Sequence, residues 1–100
     1  MASLSTHVLD TTAGRPADGV AVVLETADGT VVAERVTDAD GRVGDLADGL
    51  APGEHRLRFA TAAHSQFYPE VVVTFVVGDA EHYHVPLLIS PFGYSTYRGS

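Results

Sequence analysis

His82 and His84 lie one residue apart in the stretch His82-Tyr83-His84-Val85-Pro86-Leu87-Leu88. In an extended chain alternate side chains point the same way, so His82, His84, Pro86 and Leu88 share one face. Two neighbouring imidazoles can be structural, hydrogen-bonded or simply solvated. With a third histidine, such as His7, they can complete a three-histidine zinc site that leaves a position open for water. Without metal they can move protons at neutral pH, because the imidazole titrates close to it. Spacing alone does not separate these uses.

Arg42 follows the acidic turn Thr37-Asp38-Ala39-Asp40-Gly41. Taken alone, it reads as a solvated cation paired with Asp38 or Asp40. His55 falls on an apolar strand face and His64 in a loop, and both read as structural. The chain end, Tyr94-Ser95-Thr96-Tyr97-Arg98-Gly99-Ser100, carries aromatic and cationic side chains where most chains fray. A tyrosine and an arginine in that position imply that something docks them.

The elements that must position these groups are short strands. Gly, Pro and Asp recur between runs of Val, Leu, Thr and aromatics, the spacing of an all-β sandwich or barrel. Leu4 to Asp10 alternates, with Leu4, Thr6 and Val8 on one face and Ser5, His7 and Leu9 on the other. Thr11 to Gly19 reads as a loop. Val20 to Thr26 and Thr30 to Val36 flank Asp28-Gly29, a hairpin signal, since Asp-Gly accommodates the positive φ angles of a tight turn. Arg42 opens a short strand ending near Leu46, and a loop spans Gly49 to Gly53. Glu54 to Ala60 sets His55, Leu57 and Phe59 against Glu54, Arg56 and Arg58, one face buried and one wet. Thr61 to Tyr68 has room for one helical turn at most before Pro69. Glu70 to Val77, His82 to Ser90 and Tyr94 to Gly99 complete about eight strands, without repeats or linkers.

The chain has 100 residues, 45% of them hydrophobic, which fits one domain over residues 1–100. A domain of this size buries roughly 60–70% of its unfolded surface and gains from association, so a homo-oligomer is expected. Thirteen acidic residues against six basic ones, all Arg, give a net charge of −7, which argues against nucleic acid as a partner. The absence of Cys excludes disulfides, thiolate nucleophiles and Cys-based zinc sites. The N-terminal residues form neither a signal peptide nor an apolar span, so no membrane partner and a cytoplasmic location are expected.

Several of these segments together resemble the 5-hydroxyisourate hydrolases, also called transthyretin-related proteins. They are Leu4-Ser5-Thr6-His7-Val8-Leu9-Asp10 with Gly14-Arg15-Pro16-Ala17, Asp38-Ala39-Asp40-Gly41-Arg42, Phe67-Tyr68-Pro69-Glu70-Val71, His82 to Ser90, and the terminal Tyr97-Arg98-Gly99-Ser100. The resemblance implies an all-β, transthyretin-like sandwich of two sheets and about eight strands. Its short helix is trimmed or absent here, because the chain between Phe59 and Phe67 is several residues shorter than the family's. It further implies a dimer of dimers with active sites in the channel between dimers. His7, Arg42 and His84 match the family's catalytic trio, and Tyr97, Arg98, Gly99 and Ser100 match the segment lining its site. His82 matches no assigned role.

The activity so implied is metal-free and cofactor-free hydrolysis of 5-hydroxyisourate, opening its six-membered ring to 2-oxo-4-hydroxy-4-carboxy-5-ureidoimidazoline. One of His7 and His84 would deprotonate water while Arg42 held the anionic heterocycle. The contrasting expectation is a non-catalytic carrier of a small hydrophobic ligand, which would present an open, apolar channel.

Overall fold

A computed structural model describes residues 2–99, and within them the chain forms nine strands and no helix. The strands are β1 (Ala2–Asp10), β2 (Arg15–Pro16), β3 (Ala21–Thr26), β4 (Val31–Val36), β5 (Arg42–Leu50), β6 (Gly53–Ala60), β7 (Glu70–Val77), β8 (His82–Ile89) and β9 (Tyr94–Thr96). In one sheet β1 is flanked by β8, with β9 beyond it, and on its other edge by β2 and β5. The second sheet runs β4-β3-β6-β7. Every pairing is antiparallel except that of the central strands β1 and β8.

Alternation along the strands decides what is buried. Leu4, Thr6 and Val8 of β1 and Tyr83, Val85, Leu87 and Ile89 of β8 face inward, against Val22, Leu24, Leu57, Phe59 and Val71 of the second sheet. Each large apolar side chain so enclosed contributes roughly 1.5–3 kcal/mol. On β6 the wet face carries Arg58, which bridges Glu25 at 3.2 Å and Glu70 at 2.5 Å. His55 is buried in the core face and His64 pairs with Asp10 at 2.8 Å, structural positions for both.

Three details differ from the sequence expectations. The loop after β1 holds the two-residue strand β2, pinned because the Asp10 carboxylate accepts the Thr12 and Ala13 N–H groups at 3.0 Å. Pro16 lacks an N–H, which suits an edge position. Strand β5 continues past Leu46 to Leu50, because two register shifts against β1 absorb the extra residues while Leu46 and Leu50 stay buried. Strand β9 is only three residues long. Between Phe59 and Phe67 a single turn forms, with the Thr61 carbonyl accepting from His64 N–H and Ser65 N–H at 2.9 and 3.0 Å. It goes no further because Ser65 Oγ accepts the Tyr68 N–H at 2.9 Å and donates to the Pro91 carbonyl at 2.8 Å. No helix of the described residues is long and apolar enough to cross a membrane.

Candidate active site

The parallel register of β1 and β8 sets Ser3 beside His82, Ser5 beside His84 and His7 beside Pro86. On the opposite edge of β1, His7 pairs with Arg42. Paired residues project on the same side of a sheet, so the outward face gathers Ser3, Ser5, His7, His82, His84 and Arg42. A recess of about 300 Å³ opens there, lined by Ser5, Thr6, Arg42, Gly44, His82 and His84, with His7 beside it.

Arg42 owes its place to the preceding turn. Asp38 does not pair with the guanidinium, as the sequence suggested; its carboxylate accepts the Asp40 and Arg42 backbone N–H groups at 2.9 and 3.0 Å. Nor does Arg42 belong to any salt bridge among the described residues. Gly41 adopts φ +72°, and a Cβ there would strike the Val8 carbonyl oxygen. The Gly41 carbonyl in turn accepts the Val8 N–H at 2.7 Å, locking the turn to β1. The arginine fork is thereby left exposed at the recess.

The histidines are held by different kinds of partner. His7 Nε2 lies 2.9 Å from the Asp40 carbonyl oxygen, which can only accept, so Nε2 carries the hydrogen and Nδ1 the lone pair of the neutral ring. His84 Nδ1 lies 2.7 Å from Ser5 Oγ, and Ser5 Oγ lies 3.0 Å from His82 Nε2. His82 Nδ1 is 2.6 Å from Ser3 Oγ. Partial burial pushes the His84 pKa below the usual imidazole value, and the nearby Arg42, His7 and His82 push the same way. His84 is therefore neutral at pH 7, the state a general base requires.

The C-terminal segment closes over one side. Gly99 N–H donates to the His84 carbonyl at 2.8 Å, and this bridge keeps the register in which Leu87 faces Thr96. Tyr97 follows β9 with its ring exposed; it does not line the recess on the histidine side of the sheet but a second one, of about 230 Å³, shared with Thr96, Arg98, Tyr83 and Val85. Arg98 falls opposite Val85 and projects through the other side, where its guanidinium sits 4.7 Å from the centre of the Tyr83 ring. Arg98, expected in the segment lining the site, thus clamps that segment to the far side of β8. Gly99 lies against the His84 ring so closely that a Cβ would stand 2.6 Å from Cδ2. Ser100 lies outside the described residues.

His7, Arg42 and His84 thus meet, although three strands carry them. Sequence reasoning missed Ser3 and Ser5. Their alternation with His7 was visible, but their contact with His82 and His84 depends on the β1–β8 register. Among the described residues no group of three or more His, Cys, Asp or Glu side chains is arranged to hold a metal ion.

A transthyretin-like β-sandwich that carries imidazoles and a guanidinium on its outer face, where a carrier of apolar ligands would present an apolar channel, is the class defined by this fold and site. Residues 4–99 match the HIUase/Transthyretin family, and the chain belongs to it. It is 45% identical over 115 residues to the 5-hydroxyisourate hydrolase of Caulobacter vibrioides, with all of both chains covered. It is 44% identical over 119 residues to the uric acid degradation bifunctional protein TTL of Arabidopsis thaliana, where it covers 97% of itself but only 37% of that longer protein. The structure of Klebsiella pneumoniae 5-hydroxyisourate hydrolase superposes with a TM-score of 0.91 at 39% identity, covering 100% of each chain.

Proposed function

We propose that this chain is a 5-hydroxyisourate hydrolase acting in urate degradation. The observation that carries this reading is the convergence of His84, His7 and Arg42 around one polar recess, in a chain whose full-length relatives bear that name. Arg42 offers a planar, permanently charged fork to an anionic heterocycle and to the oxyanion that develops on its carbonyl. A water held by His84 attacks that carbonyl carbon. Its proton passes to His84, the ring C–N bond breaks, and the released nitrogen takes a proton. His7, its Nε2–H fixed on Asp40, keeps Nδ1 for the water or the substrate. General-base assistance accounts for about 10²–10⁴ in rate, and orientation and the Arg42 charge supply the remainder.

The recess is open on one side in a single chain. A second copy facing this wall would complete a pocket and exclude water, which supports a homotetramer, a dimer of dimers with sites between the dimers. The test is to generate 5-hydroxyisourate from urate with a urate oxidase and follow its ultraviolet decay. Strong acceleration by micromolar protein is the expected result; an unchanged decay would overturn the reading.

A further inference from the structure

Behind His84 runs an unbroken line of hydrogen-bonding groups, His84 Nδ1 to Ser5 Oγ to His82 Nε2, then His82 Nδ1 to Ser3 Oγ, at 2.7, 3.0 and 2.6 Å. Resting on the hydrolytic reading above, we propose that Ser5 and His82 form a proton relay that lets His84 switch tautomer during turnover.

The argument starts from what each partner permits. A carbonyl fixes a tautomer, as Asp40 does for His7, because it can only accept. A hydroxyl both donates and accepts, so Ser5 is compatible with either tautomer of His84, provided that His82 adjusts in concert. When His84 Nδ1–H donates to Ser5 Oγ, Ser5 donates its own hydrogen to His82 Nε2, and His84 Nε2 is left as a bare base. When water attacks the substrate, the breaking O–H bond gives its proton to His84 Nε2. The Nδ1 proton then moves to Ser5 Oγ and the Ser5 proton to His82 Nε2. His84 ends neutral with hydrogen on Nε2, and the positive charge rests on His82. The reverse sequence delivers a proton through Nε2 to the nitrogen released as the ring C–N bond breaks, so no proton is gained or lost.

The electrostatics favour this export of charge. His84 is part-buried and faces Arg42 of β5, His7 of β1 and His82 of its own strand. A charge held on His84 meets both incomplete hydration and the guanidinium. His82 is exposed to solvent, one position further along β8. The buried Ser5 hydroxyl has no competing protein partner among its hydrogen bonds, which run to the two imidazoles alone. Ser5 and His82 act through His84 and are positioning residues; the catalytic group remains His84.

The experiment combines kinetics with imidazole ¹⁵N NMR on the intact chain. Ser5→Ala and His82→Phe are each expected to lower kcat about 10²-fold, the lower end of what positioned base catalysis supplies, with KM changed only slightly. Ser5→Thr, which restores a hydroxyl on a β-branched residue suited to a strand, is expected to recover most of kcat. The double variant Ser5→Ala/His82→Phe is expected to be no slower than either single one, because one relay is broken once. In the wild type, the ¹⁵N spectra are expected to show His84 exchanging between its two tautomers, which Ser5→Ala reduces to one. Full kcat in Ser5→Ala, or additive losses in the double variant, would overturn the relay. So would a single fixed His84 tautomer in the wild type, whatever the activity. A wild type with exchanging His84 tautomers but no hydrolysis would uphold the relay and refute the substrate assignment instead.

Discussion

At the residue scale, the arrangement turns on how the His84 ring is seated. Gly99 lies flat against it, and a methyl group at that position has nowhere to go without displacing the imidazole. Gly99→Ala is therefore expected to lower turnover about 10²-fold, since a shift of about 1 Å in a catalytic group costs that much. The melting temperature should move by only a few degrees; a variant of near wild-type turnover would show that the ring has slack. The pH profile tests the same seat. Because partial burial, reinforced by Arg42, His7 and His82, holds the His84 pKa below its ordinary 6.5, the acid limb of kcat/KM is expected with its midpoint below 6.5. The linkage sign agrees. The unfolded chain binds the His84 proton more readily than the folded one, so the stability associated with the neutral ring is present above pH 6.5 and is lost as pH falls through the folded pKa. A midpoint at or above the ordinary value would remove His84 as the base.

At the element scale, the decisive piece is the turn between β4 and β5. Asp38 gathers two backbone N–H groups, and Gly41 supplies a left-handed residue at a point where β1 leaves no space for a side chain. Together they deliver Arg42 to the position opposite His7. Asp38→Ala should cost about 1–2 kcal/mol through the two lost acceptor contacts. Gly41→Ala should cost more, because the positive φ and the collision with the Val8 carbonyl act together. Both variants are expected to raise KM more than Val32→Ala on β4 does, since a loosened turn misplaces the anion-holding fork. Denaturant titration and steady-state kinetics measure the two effects separately. Unchanged KM in a folded Gly41→Ala variant would show that Arg42 finds its place without this turn.

For the whole molecule, the question is how the terminal segment and a second copy complete the site. Gly99 lies against the His84 ring on one side and Arg98 stacks on Tyr83 on the other, so the segment grips both sides of β8. Tyr97 and Arg98 are exposed, and removing Tyr97 to Ser100 should leave the sandwich folded. Hydrolysis should nevertheless be lost, because His84 loses the Gly99 bridge and the close contact that seats its ring. Turnover and the mass in solution, compared for both forms, test this; a truncated tetramer of unchanged turnover would make the segment merely structural. Activity is also expected to survive exhaustive chelation. Both His82 nitrogens, His84 Nδ1 and His7 Nε2 are already engaged by hydroxyls or a carbonyl, so the three rings are not free to close on one ion. Loss of activity that zinc restores would reverse that conclusion.

Much of this was written in the strands themselves. Period-two alternation on β1, β6 and β8 determined which side chains face the core, because an extended backbone turns each side chain away from the last. The Asp-Gly turns, the limit of one turn before Pro69 and the shared face of His82 and His84 followed from the same local rules. Local rules do not say which strands become neighbours. Only the parallel pairing of β1 with β8, between residues some eighty positions apart, put Ser5 between two histidines. Only the antiparallel pairing of β1 with β5 put Arg42 beside His7. The side of the sheet to which Arg98 belongs depended on a register carried past the end of β9, where periodicity no longer has a strand to follow. The sequence determined the faces, since these are set by each residue's own backbone. The tertiary structure decided the neighbours, since these depend on how distant strands share one core.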